Sequence, residues 1–527
     1  MAKRVKDSKK KKIVKKELKE EVLDDIKEET IDEELIDEEK NKEPKKKVKF
    51  NKKRCIILGS IICVIICVIV GVILYKQGVH EYPIIYKGKD NNLYLLKDGD
   101  KPSEAVSFSN RDGIGYISFF NENPRYFLYK KSVDLYIYDV KKNKDKKIIS
   151  NYSASFVTND DKYVVAIDTT GTIFSYKLNG DIKEIGENVS GDVAFTNDNI
   201  LYEDGTDDLY LSFLNGKKDN VVITNKVKSY QFSKDGSKVV YINNDDELIV
   251  YTIKNEKSTT INSDVKEFYC DSDECDDIYY VMKNGDENSI LYYNGSKSSV
   301  YVKDANALEA VDVDANILLY TVVEEGNYVL YIKIGKSDSE LIDKEYGRSG
   351  YARINDAKEV YYVKGNKDLN YYNIKKGNNS LLISDVSGGF IQCNDGFYIF
   401  SGVDVVGSGV LYYLEGNKAT KVNDSVYSFN YYFINKKGDR IYYLTNYGNK
   451  VGTLYMYDGK ENTLISDSVY QYQYINDDLV YYLRDYDIVN LHGTLYKYSN
   501  KKKEVITDRV QGLVQFRVNE YRKWFYE

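Results

Sequence analysis

The chain of 527 residues has only four prolines, two histidines and one tryptophan. Average usage would supply about 26 prolines, so neither a Pro-rich linker protein nor a collagen fits. With His80 and His492 alone, no histidine pair is available for a metal and no Ser-His-Asp triad can be assembled. Six cysteines in so long a chain do not make a disulfide scaffold. What the chain has instead is tyrosine, 53 against 18 phenylalanines, a bias toward strands with half-buried pleated faces. Its length implies roughly three or four domain-sized units.

Long apolar runs are absent except for one. Cys55 to Tyr75 is 21 residues without a charge. As a helix it would span about 31 Å, matching the roughly 30 Å apolar thickness of a bilayer. Lys45, Lys46, Lys47, Lys49, Lys52, Lys53 and Arg54 precede it and only Lys76 follows closely. The positive-inside rule therefore predicts a cytoplasmic N-terminus and an exported C-terminal part. The run begins too late, is too long and lacks the A-x-A exit of a cleaved signal peptide, so a single-pass signal-anchor in the cell membrane is expected. Gly59, Cys63, Cys67 and Gly71 recur every fourth residue on one face of this helix. Small residues at that spacing allow two membrane helices to approach, which makes them a candidate pairing face for a homodimer.

Charge divides along the same line. Residues 1–54 carry 20 Lys+Arg against 15 Asp+Glu, net +5, leaving 55 against 67 in the remainder, net −12. Blocks of like charge in the tail predict a solvated, disordered segment, and its basic end can hold anionic headgroups. An acidic exported part repels phosphate, so no nucleic-acid partner is expected.

Beyond residue 76 the chain repeats. A polar turn followed by consecutive large apolar residues appears as Asp235-Gly236-Ser237-Lys238-Val239-Val240-Tyr241, as Glu359-Val360-Tyr361-Tyr362-Val363 and as Ile441-Tyr442-Tyr443-Leu444. A second phrase, L-Y or a close variant, runs in eleven copies from Leu93-Tyr94 through Leu209-Tyr210 and Leu330-Tyr331 to Leu495-Tyr496, spaced 36 to 43 residues apart. A third, such as Leu464-Ile465-Ser466-Asp467-Ser468-Val469, closes each unit. Four short strands in about 40 residues is the size of a β-propeller blade. Runs such as Val-Val-Tyr-Ile do not alternate, so both of their faces must be covered, and Asn215-Gly216 and Asp458-Gly459 are strong hairpin signals.

At these positions the chain resembles known families. Phe232-Ser233-Lys234-Asp235-Gly236-Ser237-Lys238-Val239-Val240-Tyr241 is similar to the F-S-x-D-G repeat of TolB-like propellers. Gly438-Asp439-Arg440-Ile441-Tyr442-Tyr443-Leu444-Thr445 resembles a strand of lipoprotein-receptor-type six-bladed propellers, with Tyr in place of Trp. The resemblance implies an all-β fold of propeller blades, as in bacterial membrane-anchored repeat proteins, and implies no particular activity. Because propellers usually have four to eight blades, eleven repeats suggest tandem β-propellers, the first over 76–303 and the second over 304–527, after the tail (1–54) and the anchor (55–75).

Candidate chemistry is sparse. Gly347-Arg348-Ser349-Gly350 lacks the spacing of the G-x-S-x-G elbow that peptidase relatives carry on an added α/β domain. Asp271 to Asp277 and Asp312-Val313-Asp314-Ala315-Asn316 supply oxygen ligands, yet neither has the glycine at position six or the distal glutamate of an EF-hand loop. No catalytic residue, metal site or cofactor is assigned. Cys270 and Cys275 flank a polar turn and form a candidate disulfide in an oxidising exterior, while Cys393 reads as buried filler. The leading expectation is a non-enzymatic, membrane-anchored binding or scaffold protein for an extracytoplasmic protein or cell-envelope polymer. A glycan hydrolase using two carboxylates and a transmembrane sensor are the rivals.

Overall fold

The computed structural model describes residues 83–515 apart from 98–100, 102–104, 110–113, 121–122, 179, 271, 285–286, 395, 429–431, 436 and 478. These all belong to one compact unit, Val79–Glu527. The tail, the expected anchor at 55–75 with Gly59, Cys63, Cys67 and Gly71, and His80 lie outside the described residues.

Among the described residues there are 42 strands and no helix. Seven sheets are antiparallel meanders of four consecutive strands, here called a to d: units 2 (114–149), 3 (152–186), 4 (189–224), 5 (227–262), 6 (265–305), 7 (307–343) and 8 (351–383). The other sheet has fourteen strands, because Lys418–Tyr427, Asn462–Asn476 and Lys502–Leu513 each finish one meander and begin the next. It resolves into units 9 (386–423), 10 (426–466) and 11 (469–508), and unit 1. Unit 1 joins Ile84–Gly88, Leu93–Leu96 and Val106–Ser109 to a first strand supplied by the end of Lys502–Leu513. Meanders of this kind packed face to face in series are the β-propeller arrangement.

The repeated phrases explain the packing. The b strands carry the consecutive apolar residues, and all of Val239, Val240, Tyr241 and Ile242 are buried. Val239 and Tyr241 enter the core shared with unit 4, while Val240 and Ile242 enter the core shared with unit 6. Each tyrosine doublet divides in the same way. Tyr280 packs toward unit 5 and Tyr279 toward unit 7; Tyr362 packs toward unit 7 and Tyr361 toward unit 9. This is the period-two alternation of a strand with a core on both sides. The apolar residue opening every L-Y phrase starts or lies within a c strand and is buried. The tyrosine after it stacks across the ladder on a b-strand tyrosine, as in Tyr202–Tyr210 (5.2 Å, 10°) and Tyr482–Tyr496 (5.3 Å, 7°). The d strands are the most exposed, for example Lys257–Asn262, and their charged and polar side chains guard an open edge.

The expected division at 303/304 is not where the packing breaks. Val302 and Ala305 of unit 6 share a core with Val311, Leu318 and Tyr320 of unit 7. Nor does unit 6 return to unit 1. Instead Ile84, Ile85 and Leu95 of unit 1 pack with Phe127 and Tyr129 of unit 2 on one side and with Leu483, Leu495 and Val510 of unit 11 on the other. Pairing of Tyr86 with Leu513 and Lys87 with Gly512 closes the series. Strand pairing thus joins unit 1 directly to unit 11.

Candidate functional site

Two rims follow from the topology. One gathers the b–c turns and the d-to-a corners, and the other gathers the a–b and c–d turns. At the corner rim the chain turns through a left-handed residue at every described junction: Asn151, Asn188, Lys226, Asp264, Asp304, Gly347, Asp385, Ser425, Ser468 and Arg509, with φ between 50° and 84°. Asn, Asp and Gly tolerate this region, whereas Lys226 and Arg509 hold it at a cost of about 1–2 kcal/mol. The corners are bonded to the b–c turns beside them. Val189 N–H donates to the Gly171 carbonyl at 3.0 Å, Val227 to Asp207 and Val265 to Asp246 at 2.9 Å, and on the other side of a turn Thr169 N–H donates to the Asn151 carbonyl at 2.8 Å.

The acids of this rim build the turns. Asp168 Oδ1 accepts from Thr170 N–H (2.9 Å), the Thr170 hydroxyl (2.6 Å) and Thr172 N–H (3.0 Å). Asp204 repeats the pattern with Thr206 and Asp208, and Asp404 repeats its backbone part with Val406 and Ser408. Partial burial raises the Asp168 and Asp204 carboxyls, but these hydrogen bonds outweigh it and hold both below the usual range. Replacing Asp168 with Ala should lower stability by about 1–2 kcal/mol, measured as a shift in the urea midpoint, while Asn at the same position keeps the acceptor and most of the stability. An open cleft of about 440 Å³ lies between two of these turns, lined by Thr170, Asn188, Val189, Asp204, Gly205 and Thr206. Both of its threonine hydroxyls already donate within their own turns.

The opposite rim uses acids similarly. In the TolB-like phrase, Asp235 Oδ1 accepts from the Ser233 hydroxyl at 2.7 Å and from Ser237 N–H at 2.9 Å, while Gly236 adopts φ 69°. The acidic segment after Cys270 is tied to that phrase: Asp235 N–H donates to the Asp273 carbonyl at 3.0 Å, and Lys238 pairs with Asp276 at 2.6 Å and Glu274 at 3.7 Å. Asp277 accepts from the Tyr292 hydroxyl. In the second acidic segment Asp312 accepts from Ala315 N–H at 3.0 Å and Asn316 from the Tyr279 hydroxyl at 3.1 Å. Among the described residues no group of three or more His, Cys, Asp or Glu is assembled for a metal.

Cys270 and Cys275 face each other across this a–b turn with Cα atoms 5.5 Å apart, the normal separation for a disulfide. Cys393 is buried in the core shared by units 9 and 10. Non-reducing peptide mapping should recover Cys270 and Cys275 in one cross-linked species, and replacing both with Ser should cost about 2 kcal/mol for so short a loop. Finding two free thiols would remove the bridge.

The structure brings together one constellation that no motif announces. Glu267 lies on the a strand Val265–Cys270 of unit 6 and Glu309 on the a strand Ala307–Asp312 of unit 7. Glu309 is the extra residue of a bulge between Leu308 and Ala310. It accepts from the Tyr346 hydroxyl at 2.9 Å and the Thr321 hydroxyl at 3.4 Å. Burial pushes its carboxyl up and the Glu267 charge adds to that, against the two hydrogen bonds. One oxygen of Glu267, Oε1, is buried without a hydrogen-bond partner. Burial and the neighbouring Glu267 charge thus both disfavour the ionised form of Glu309. Tyr346 is itself fixed by the Gly347-Arg348-Ser349-Gly350 turn, since a Cβ on Gly350 would lie 2.7 Å from its ring. Ser349 thus belongs to a d-to-a crossing and not to a strand-to-helix turn. His492 opens the c strand His492–Ser499 opposite Asp487 and joins no group of three metal-ligating residues among those described.

No protein-family model matches the chain, and no curated protein matches it. Among solved structures it is similar to the tricorn protease at 12% identity, over 82% of this chain and 58% of that one, with a TM-score of 0.27. The chain therefore spans little more than half the length of that protein. It is also similar to an oligogalacturonate lyase in complex with manganese (11% identity, 65% of this chain, 97% of that one, TM-score 0.31) and to an oligogalacturonate lyase from Vibrio parahaemolyticus (14%, 58% and 97%, TM-score 0.32). At these levels no activity transfers, and the propeller assignment rests on the strand topology described above.

Proposed function

We propose that the chain is a membrane-tethered, extracytoplasmic binding and scaffold protein whose eleven units form one closed ring. The observation that supports this is the commitment of its reactive side chains to the frame. Acids at Asp168, Asp204, Asp235 and Asp404 accept turn hydrogen bonds, and the tyrosine doublets fill the cores between units. Loops are then the surfaces left for recognition. The chain enters at Pro83, where Ile84–Gly88 begins at the a–b and c–d rim, and Lys502–Leu513 ends at that same rim. An anchor at 55–75 would tether it through residues 76–82, at most about 25 Å when extended.

The Glu267 and Glu309 pair favours a second reading, acid–base chemistry on a cell-envelope glycan. Purified full-length protein should release no reducing ends from cell-wall polysaccharide and should bind without turnover. Release that Glu309→Gln abolishes, with melting unchanged, would replace the first reading by the second.

A further inference from the structure

We propose that the corner rim over units 9 to 11 docks a basic protein segment bearing apolar side chains; this rests on the binding function proposed above and names its surface and partner class. The exposed apolar side chains of this arc sit at the tips of two b–c turns. In unit 9 Val405 is 102% exposed and Val406 61%, and in unit 11 Val489 is 89% exposed, flanked by Ile488 and Leu491. Elsewhere b–c turns such as 168–172, 204–208 and 364–368 are polar, and Val133 of unit 2 and Val323 of unit 7 are exposed singly at or beside theirs. Aliphatic side chains clustered at the tips of two turns of one arc mark a contact surface.

Between the tips stand two aromatic pairs of the same construction. Tyr427, one residue beyond Val426, stacks on Tyr447 of the unit 10 turn at 4.5 Å. Tyr470, one residue beyond Val469, stacks on Tyr486 of the unit 11 turn at 3.7 Å and 6°. Each pair joins the first residues of an a strand to the b–c turn beside it, so the aromatic steps follow the ring one unit apart. Rigid, half-buried tyrosines are the residue type that anchors protein interfaces at low entropic cost.

Charge selects the partner. Asp404, Asp424, Asp467, Asp485 and Asp487 are interleaved with these side chains, against Lys421, Lys450 and Arg484. Lys421 is held by Asp424 at 2.6 Å, and Arg484 by Asp467 at 2.9 Å and Asp485 at 3.3 Å. The excess is negative, as is that of the whole chain after residue 54, net −12. An anionic bilayer would be repelled. A neutral glycan would gain nothing from the aliphatic tips, which offer no flat face to stack on. A segment alternating Lys or Arg with apolar residues satisfies both the tips and the field.

The test uses full-length protein in detergent micelles and four probes: a fluorescein-labelled peptide alternating Lys with Leu and Tyr, its Glu-for-Lys counterpart, chitohexaose, and vesicles of phosphatidylcholine with phosphatidylglycerol. The Lys peptide alone is expected to bind, with an affinity that falls as salt rises. Val405→Ser with Val406→Ser, or Ile488→Ser with Val489→Ser and Leu491→Ser, should each weaken it about tenfold or more. Asp424→Asn with Asp485→Asn should flatten the salt dependence. Leu341→Ser with Leu381→Ser, exposed on the d strands of units 7 and 8 outside the arc, should change nothing; melting curves of all variants should match. No binding of the Lys peptide, binding that the tip variants leave intact, or preference for the Glu peptide or vesicles overturns the proposal. Capture of chitohexaose lost in the tip variants also overturns it but leaves the binding function standing. Glycan turnover lost in Glu309→Gln removes that function itself.

Discussion

Deleting residues 507–527 is expected to abolish the cooperative fold. The deletion removes the inner strand of unit 1, so Ile84–Gly88 loses its pairing with Val510, Gly512 and Leu513. It also empties the core in which Val510 and Leu513 contact Ile84, Leu483 and Leu495. Two buried aliphatic side chains are worth about 1.5–3 kcal/mol each, and each lost ladder bond about 1 kcal/mol more. The sum approaches the entire stability of a typical domain, about 5–15 kcal/mol. An open sheet edge would remain at each end of the series and would recruit other chains. Calorimetry should show a broad, early transition in place of a sharp one, and light scattering should rise with concentration. Val510→Asp, which places an unpaired charge in the same core, should cost about 4 kcal/mol or more without shortening the chain. Unchanged melting of both variants would mean that the ring does not depend on its closure.

Alkaline pH should unfold the protein abruptly. Burial, joined by neighbouring carboxylates or tyrosines, pushes Tyr86, Tyr292, Tyr372 and Tyr486 up to about 12, and a hydrogen bond to Glu324 does the same for Tyr331. Tyr129, Tyr279, Tyr361 and Tyr362 are driven up further by the same burial. In the unfolded chain each would lose its proton near pH 10. Between pH 10 and 12 the folded state therefore binds more protons than the unfolded one, and stability falls as pH rises. The contribution is complete below about pH 10 and is lost above it, by at most about 1.4 kcal/mol per pH unit for each group and by less where solvent screens a half-exposed ring. Several such groups acting together suffice to melt a domain of ordinary stability. Phenolate absorbance and circular dichroism followed together should change at one midpoint. Smooth ionisation of most tyrosines with the dichroism intact would contradict this.

The repeat was legible because it is written in local patterns. Each L-Y phrase marks a c strand, since a buried Leu followed by a half-exposed Tyr suits a strand with one crowded side. Non-alternating b strands disclosed two covered faces, and Leu464 to Val469 marked a corner before its left-handed Ser468 was known. Ring closure was not legible. It depends on Lys87 meeting Gly512, a pairing between the two ends of the chain that no local pattern encodes. The number of rings was consequently inferred from the habits of other propellers. Glu267, Glu309 and Tyr346 were also invisible, being single residues in the weakest of the four strand phrases or just beyond a d strand, among 67 acids after residue 54. The expected anchor at 55–75 lies outside the described residues.

The seating of Ile84–Gly88 determines how the molecule bears load. That strand lies between Leu93–Leu96 on one side and the end of Lys502–Leu513 on the other. Ladder hydrogen bonds stand perpendicular to the strands, so a pull on Pro83 loads both ladders in shear and their bonds must fail together. A pull on a d strand would part its ladder one bond at a time. Tension applied at Pro83 thus meets a strand held on both sides, by its hairpin partner and by the clasp with Lys502–Leu513.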